Sequence, residues 1–313
     1  MAEITAALVK ELREMTGAGM MDCKKALTAT EGDIDKAIDF LREKGLAGAQ
    51  KKAGRIAAEG IVETLVCDCG KDAVVVEVNA ETDFVAKNEK FKLFVSEVAA
   101  QAINTEASDL EAFLNEKWKL DESVTVKEKL SSMISIIGEN MNIRRFEQLH
   151  ESNGIVVDYI HAGGKIGVLV DVETDVVNDA IKEMGRNIAM QVAALKPIYT
   201  SDEEVPADYI EREKEILVAQ IKNDPKESSK PDKVIEGIVK GRVAKELKEI
   251  CLLDQNYVKA ADGKQRVSDY VKEVAKANSA KITIKRFVRF ETGEGLEKKN
   301  EDFAAEVAKQ LNS

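Results

Sequence analysis

EGIVETLVCDCGKDAVVVEVNAETDFV at residues 59–85 and NGIVVDYIHAGGKIGVLVDVETDVV at residues 153–177 read as one pattern written twice. Each runs strand, glycine-containing turn, strand, acidic turn. Each then leads into a helical periodicity, Asn88 to Ile103 after the first and Val177 to Leu195 after the second. The offset between copies is 94 at Gly60/Gly154 and 92 at Thr82/Thr174, so a two-residue indel lies inside the unit. In both, the second strand is a near-continuous apolar run, Val74 to Val78 and Ile166 to Val172, which places it centrally with helices covering one face. KITIKRFVRF at 281–290 alternates instead, as a strand with one exposed face that joins the second sheet. The expected fold class is therefore α+β, with duplicated core subdomains and antiparallel sheets.

Outward from that core, residues 1–48 read as three short helices: Ile4 to Glu14, Met21 to Thr28, and Ile34 to Lys44 behind the N-cap Asp33, closed by Gly45. A Gly/Ala/Lys-rich stretch over 49–56 reads as a linker. The first core subdomain covers 57–147, including a mostly helical connector over 105–147 with Trp118 and IGENMNIRRFE. The second covers 148–200 and 262–291. Between its halves, 201–261 holds two helix patterns broken at NDPKESSKP; Ile235, Val239, Val243, Leu247 and Ile250 repeat at three or four, an antiparallel helical hairpin. A C-terminal module over 292–313 ends in a helix, Asp302 to Leu311.

The chain has 313 residues, 44% apolar and 33% charged, with 4 Pro and 5% aromatics, which excludes disordered and collagen-like classes. A net charge of -11 argues against a phosphate backbone as the main partner, so no direct nucleic-acid contact is expected. No run approaches the ~20 apolar residues of a membrane helix, and the start MAEITAALVKELREM is unlike a signal peptide, so a cytoplasmic protein is expected. Cys23, Cys67, Cys69 and Cys251 read as free thiols of a reducing compartment.

Covalent chemistry finds little support. Only His150 and His161 could serve as imidazole bases, and no local signature surrounds any cysteine. Cys67-Asp68-Cys69 lacks the following Cys or His pair that a zinc site wants, so no metal is expected. Gly163-Gly164-Lys165 has Tyr159 where a phosphate loop needs its leading glycine and Ile166 where it needs Ser/Thr; it reads as a hairpin turn. Gly293-Glu294-Gly295 has Lys298 at the third glycine position of a dinucleotide fingerprint. No cofactor is expected, and the chain reads as a non-enzyme.

Two places resist a purely structural reading. Phe84 follows a buried strand and sits in a polar turn, EVNAETDFVAKN, where Thr82 and Asp83 favour capping the next helix. Its repeat-mate is Val176, so the fold does not demand an aromatic there; an exposed interface anchor is the alternative to ordinary core. Met20 and Met21 are adjacent beside a helix of a very small bundle, so one of the two is expected to be exposed, with Lys24 and Lys25 as a polar rim.

Leu12-Arg13-Glu14-Met15-Thr16-Gly17-Ala18-Gly19-Met20-Met21-Asp22-Cys23-Lys24-Lys25-Ala26-Leu27 and Glu77-Val78-Asn79-Ala80-Glu81-Thr82-Asp83-Phe84-Val85-Ala86-Lys87 closely resemble the two motifs of the bacterial translation elongation factor Ts family. IGENMNIRR at 137–145, IHAGGKIGVLV at 160–170 and RFETGEG…DFAAEVA extend the resemblance to the whole chain. It departs from the family in Met15, where others often carry Arg or Lys, in Ala80, where many carry Cys, and in a longer connector around 105–130.

The resemblance implies a ubiquitin-associated-like N-terminal domain, a coiled-coil protrusion, and guanine-nucleotide exchange on elongation factor Tu, both GDP-bound and nucleotide-free. It implies that Thr82, Asp83, Phe84 and Val85 enter the partner near its magnesium and phosphate site and favour magnesium loss. Phe84 would be the wedge, and Asp83 would act by charge or capping. It further implies that Lys10, Arg13, Met20, Met21 and Lys24 hold the partner's nucleotide domain, that His161, Gly163, Gly164 and Lys165 hold another, and that the C-terminal helix makes a third contact. A homodimer or 2:2 complex through the helical hairpin is compatible with it. A peptide-binding adaptor built on the N-terminal bundle is the competing reading, and a thiol enzyme at Cys23 or Cys67 a remote one.

Overall fold

The computed structural model describes residues 4–224, 228 and 230–297. Helices α1 (Ala6–Thr16), α2 (Met20–Ala29) and α3 (Ile34–Lys52) enclose Leu12, Cys23, Ala26, Leu27 and Ala37. Thr5 caps α1 by accepting from the Leu8 amide, and Asp33 caps α3 by accepting from Lys36, as its place in the sequence predicts. The expected stop at Gly45 does not occur. The helix runs on to Lys52, through much of the stretch read as linker. Gly45 is buried against Ser131 and Ser135, and that contact with a distant helix offsets the ~1 kcal/mol that glycine costs a helix interior.

The first core unit begins with β1 (Glu59–Val66), β2 (Asp72–Ala80), the single turn α4 (Asp83–Ala86) and α5 (Glu89–Ala102). The connector follows as α6 (Leu110–Asn115), the short hairpin β3 (Lys117–Trp118) and β4 (Asp121–Thr125), and α7 (Val126–Ile137). Trp118 is buried and stacks on Phe94 of α5 at 6.0 Å, so the connector is part of the core and not a tether. One correction applies to its end: Met141–His150, read with the connector, is a strand, β5, paired antiparallel with β2. It also carries the first unit past the expected boundary at 147.

The second unit holds β6 (Gly154–His161), β7 (Ile166–Thr174), α8 (Asp179–Leu195), the pair α9 (Ala207–Asn223) and α10 (Asp232–Ile250), α11 (Val267–Ala277) and β8 (Ile282–Glu291). The sheet orders are β1-β2-β5 and β6-β7-β8, so each unit has its second strand in the centre and receives its third after a long excursion. Register breaks fall at Glu77/Val78 and Asp171/Val172, at the same offset of 94 as Gly60/Gly154. Those two glycines are required by close strand approach: a Cβ would stand 2.2 Å from the Val78 carbonyl oxygen in one copy and 2.0 Å from that of Val172 in the other.

The outer face of the first sheet is covered by α5 and that of the second by α8. The inner faces meet each other through Val62, Val75, Leu149, Val156, Leu169, Val288 and Phe290. This helix–sheet–sheet–helix stack explains the continuous apolar runs of β2 and β7, which are buried on both sides. The α9–α10 pair is antiparallel, with Tyr209 near the start of one helix donating to Glu246 near the end of the other at 2.7 Å. Ile221, Ile235, Val239 and Val243 close its own small core. Among the described residues no helix is long and apolar enough to cross a membrane. The expected helix Asp302–Leu311 lies outside the described residues.

A buried carboxylate occupies the same place in each central strand. Glu77 accepts from Arg145 (2.6 Å), Arg144 (3.0 Å), Asn79 (3.0 Å) and the Gly293 amide (2.8 Å). Burial alone would raise its pKa, but these four donors outweigh burial and hold it below the ordinary value. Its counterpart Asp171 has no such escort. Burial first, and then the neighbouring Glu151 carboxyl, push Asp171 up to about 6, against the pull of Lys285 and Arg286.

The cysteines require a further correction. Cys67 and Cys69, read as free thiols, are joined by a disulfide across the turn that leaves β1, where their Cα atoms lie 5.3 Å apart. Cys23 and Cys251 are free and buried.

Candidate functional site

The turn after β2 is fixed from below. Thr82 is the N-cap of α4, and its Oγ1 accepts from the Val85 amide at 3.3 Å. Glu139 receives both the Thr82 amide (3.0 Å) and its hydroxyl (2.8 Å). Next to it, Glu81 accepts from the Asn140 amide (2.6 Å) and from Arg55 (3.4 Å). Val85 and Ala86 are buried in the first core. On that base Phe84 is 80% exposed. Asp83 pairs with Lys87 at 2.6 Å; this contact first, with Lys165 assisting, holds its carboxyl below the ordinary value. Thr82 is thus the cap, Asp83 a half-exposed charge, Val85 an internal anchor and Phe84 the projecting group.

The second copy shows why only one tip exists. Asn88 caps α5 and Asn178 caps α8, each accepting from a helix amide, at 2.9 and 3.0 Å. The offset between copies falls from 92 at Thr82/Thr174 to 90 at these caps, so the first copy has two more residues between strand and helix. They are accommodated by α4. In the second copy Thr174 turns directly back to the Val176 amide (3.2 Å) and Asp175 accepts from the Lys281 amide (2.8 Å). There Val176 packs against the second core and Val177 is exposed, the reverse of Phe84 and Val85. Pairing Phe84 with Val176 is right in sequence register and wrong in direction.

The other expected contact residues fall in two places. His161, Gly163 and Lys165 are exposed on the β6–β7 turn, and Lys165 pairs with Glu59 beside the tip. Gly164 does not share that surface. It is buried at the junction of the sheets, its carbonyl accepting from the Val62 amide (2.7 Å), and a Cβ there would meet Ile61 Cγ2 at 2.6 Å. In this chain Gly164 holds the turn against β1. Lys10, Arg13, Met20, Met21 and Lys24 are all exposed on α1 and α2, and no described contact joins them to the tip. Both methionines face solvent, at 58% and 64%, not one of the two, because Cys23, Ala26 and Leu27 alone fill the inward stripe of α2.

By fold, this is an α+β protein built around two facing three-stranded antiparallel sheets of the same strand order. Its sequence places it more narrowly. The family model described as elongation factor TS matches residues 81–294. Elongation factor Ts of Clostridioides difficile (strain 630) is 52% identical over 311 residues, 99% of this chain and 100% of that protein. Its namesakes in Clostridium novyi (strain NT) and Clostridium botulinum (strain Eklund 17B / Type B) are 50% and 51% identical over 309 and 308 residues, 99% and 98% of this chain and 99% of each of theirs. The chain belongs to the elongation factor Ts family. Membership implies nucleotide exchange on elongation factor Tu in translation elongation, and exchange in place of covalent catalysis.

Proposed function

We propose that this chain drives GDP from elongation factor Tu by pressing the Thr82–Val85 turn against the partner's magnesium and phosphate site. The observation that carries the reading is Phe84: an aromatic exposed to solvent on a turn whose neighbours are all tied down. A factor that weakens nucleotide binding must itself be weakened by nucleotide to the same extent. Burying one phenyl ring supplies ~2 to 3 kcal/mol, about two decades in affinity. Spent against the site where magnesium bridges GDP to protein, that energy favours loss of the cation and then of the nucleotide. Asp83 contributes charge to the same end, while Thr82 and Val85 keep the ring in place.

Lys10, Arg13, Met20, Met21 and Lys24, on a bundle of ubiquitin-associated-like form, and His161, Gly163 and Lys165 add affinity more than rate. The α9–α10 pair serves as a coiled-coil contact for a homodimer or a 2:2 complex; its exposed Ile216 and Val234 support this role. Release of labelled GDP from elongation factor Tu tests the wedge. Phe84→Ala should retain partner binding and lose about two decades of acceleration. Glu139→Ala, which leaves Phe84 present but frees Thr82, should fall between that variant and the unmodified chain. Exchange by Phe84→Ala at the unmodified rate sinks the reading.

A further inference from the structure

We propose that the β1–β2 turn, once its disulfide is reduced, binds one zinc ion through Cys67 Sγ, Cys69 Sγ and Asp72 Oδ2, with His150 as the positioning residue for Asp72. The sequence conceals this site because the partners of Cys67 and Cys69 are a carboxylate in the next strand and an imidazole 78 residues beyond it. The fold assembles them where β2 lies between β1 and β5, with Asp72 opposite His150 in the ladder.

The carboxylate is divided between two tasks. Its Oδ1 lies 2.6 Å from His150 Nδ1, and its Oδ2 stands 3.9 Å from each sulfur. In a tetrahedral site with Zn–S near 2.3 Å and Zn–O near 2.1 Å, the sulfur-to-oxygen edge is ~3.6 Å. The oxygen already stands within a few tenths of an ångström of that on both edges. The turn is also prepared for a thiolate: the Asp72 amide donates to Cys67 Sγ at 3.3 Å, an interaction that favours the charged sulfur. Gly70 donates to the Cys67 carbonyl at 2.8 Å, and its own carbonyl accepts from Val156 of the second sheet at 2.7 Å, so the loop is held from both subdomains. Cys69 is exposed, which leaves the fourth position to water. Two thiolates with one hard oxygen suit zinc over magnesium or calcium.

The chemistry balances with a named reductant. A dithiol passes two electrons and two protons to the Cys67–Cys69 bond and becomes a cyclic disulfide, leaving two thiols. Zinc then displaces one proton from each. In vitro a phosphine does the same work, becoming its oxide with the oxygen of one water.

Cobalt(II) is the probe, titrated into the full chain in the phosphine. One equivalent should produce sulfur-to-cobalt charge-transfer absorption with release of two protons per ion, and zinc should abolish the band by displacing cobalt with no further proton release. The oxidised chain and the Cys67→Ser/Cys69→Ser double variant should give none. Asp72→Asn should weaken cobalt at least tenfold, and His150→Gln by ~10 to 100-fold with the charge-transfer band retained. Far-UV circular dichroism identical to the unmodified chain shows that each variant is folded. A reduced chain no better than the double variant overturns the proposal. So does an equal signal from the oxidised chain, which would place the metal elsewhere.

Discussion

Replacing Asp171 by asparagine should make the protein more stable at pH 8 and leave it nearly unchanged at pH 4. Asp171 is buried in the central strand of the second sheet, and its Oδ1 finds no hydrogen-bond partner. Below an ordinary carboxylate value the folded and unfolded chains both hold the proton. Between there and about 6, the folded chain retains a proton that the unfolded chain has released, so stability falls as pH rises; above about 6 the whole cost is present. A carboxyl moved from 3.8 to about 6 costs the ionised fold about 3 kcal/mol. Glu151 returns part of this. Burial raises it, but the Asn153 amide, Asp171 and Lys285 outweigh burial and hold it below its ordinary value. A net gain of about 1 to 2 kcal/mol for Asp171→Asn at pH 8 follows. Urea unfolding of both chains at pH 4, 6 and 8 measures it. A loss of stability at pH 8, or a gain as large at pH 4, would refute the view that Asp171 is an uncompensated buried acid.

The corresponding change in the first sheet has the opposite sign: Glu77→Gln should lose ~2 to 3 kcal/mol at pH 7, because it removes the buried carboxylate shared by Arg144 and Arg145 and leaves only the half-exposed Glu294 beside Arg145. Since the folded pKa of Glu77 is depressed, that loss should shrink as pH falls through it, which the same urea series reads. Gly164→Ala should cost ~1 to 3 kcal/mol in thermal unfolding, from overpacking against Ile61, whereas Gly163→Ala, with open space around it, should cost less. On the proposed assembly role of the helix pair, the full chain should form a 2:2 complex with elongation factor Tu on size exclusion and a chain with residues 207–249 replaced by a short glycine-serine loop a 1:1 complex; equal stoichiometry for the two removes the helix pair from assembly.

The strands and caps that sequence made legible are those governed locally. Val74–Val78 and Ile166–Val172 announce doubly buried strands, and Asp33 announces a helix start, because burial and capping are written in neighbouring residues. β5 was hidden because Arg144 and Arg145 interrupt its alternation, and they are there for Glu77, a partner some 67 residues earlier. Gly45 misled for a similar reason: a helix that ought to stop is carried on by contact with Ser131 and Ser135. At the tip, the polar turn and the repeat-mate Val176 marked Phe84 as unusual, yet only the positions of the two asparagine caps show that two extra residues lift it off the frame. The Asp72–His150 pair had no local signal at all.

That two-residue difference makes the tip a cassette. The segment from Thr82 to Asn88 is bounded by two capping side chains, and on the opposite layer their counterparts are Thr174, which closes a tight turn onto Val176, and Asn178, which caps α8. The frame therefore offers two attachment points of one design, one occupied by a projecting turn and one left short. Exchanging the exposed residues between the first pair of anchors, with Val85 and Ala86 kept in the core, alters what the molecule presents while leaving its frame in place. A two-residue graft after Asp175 would give the same scaffold a second prong pointing from its other half.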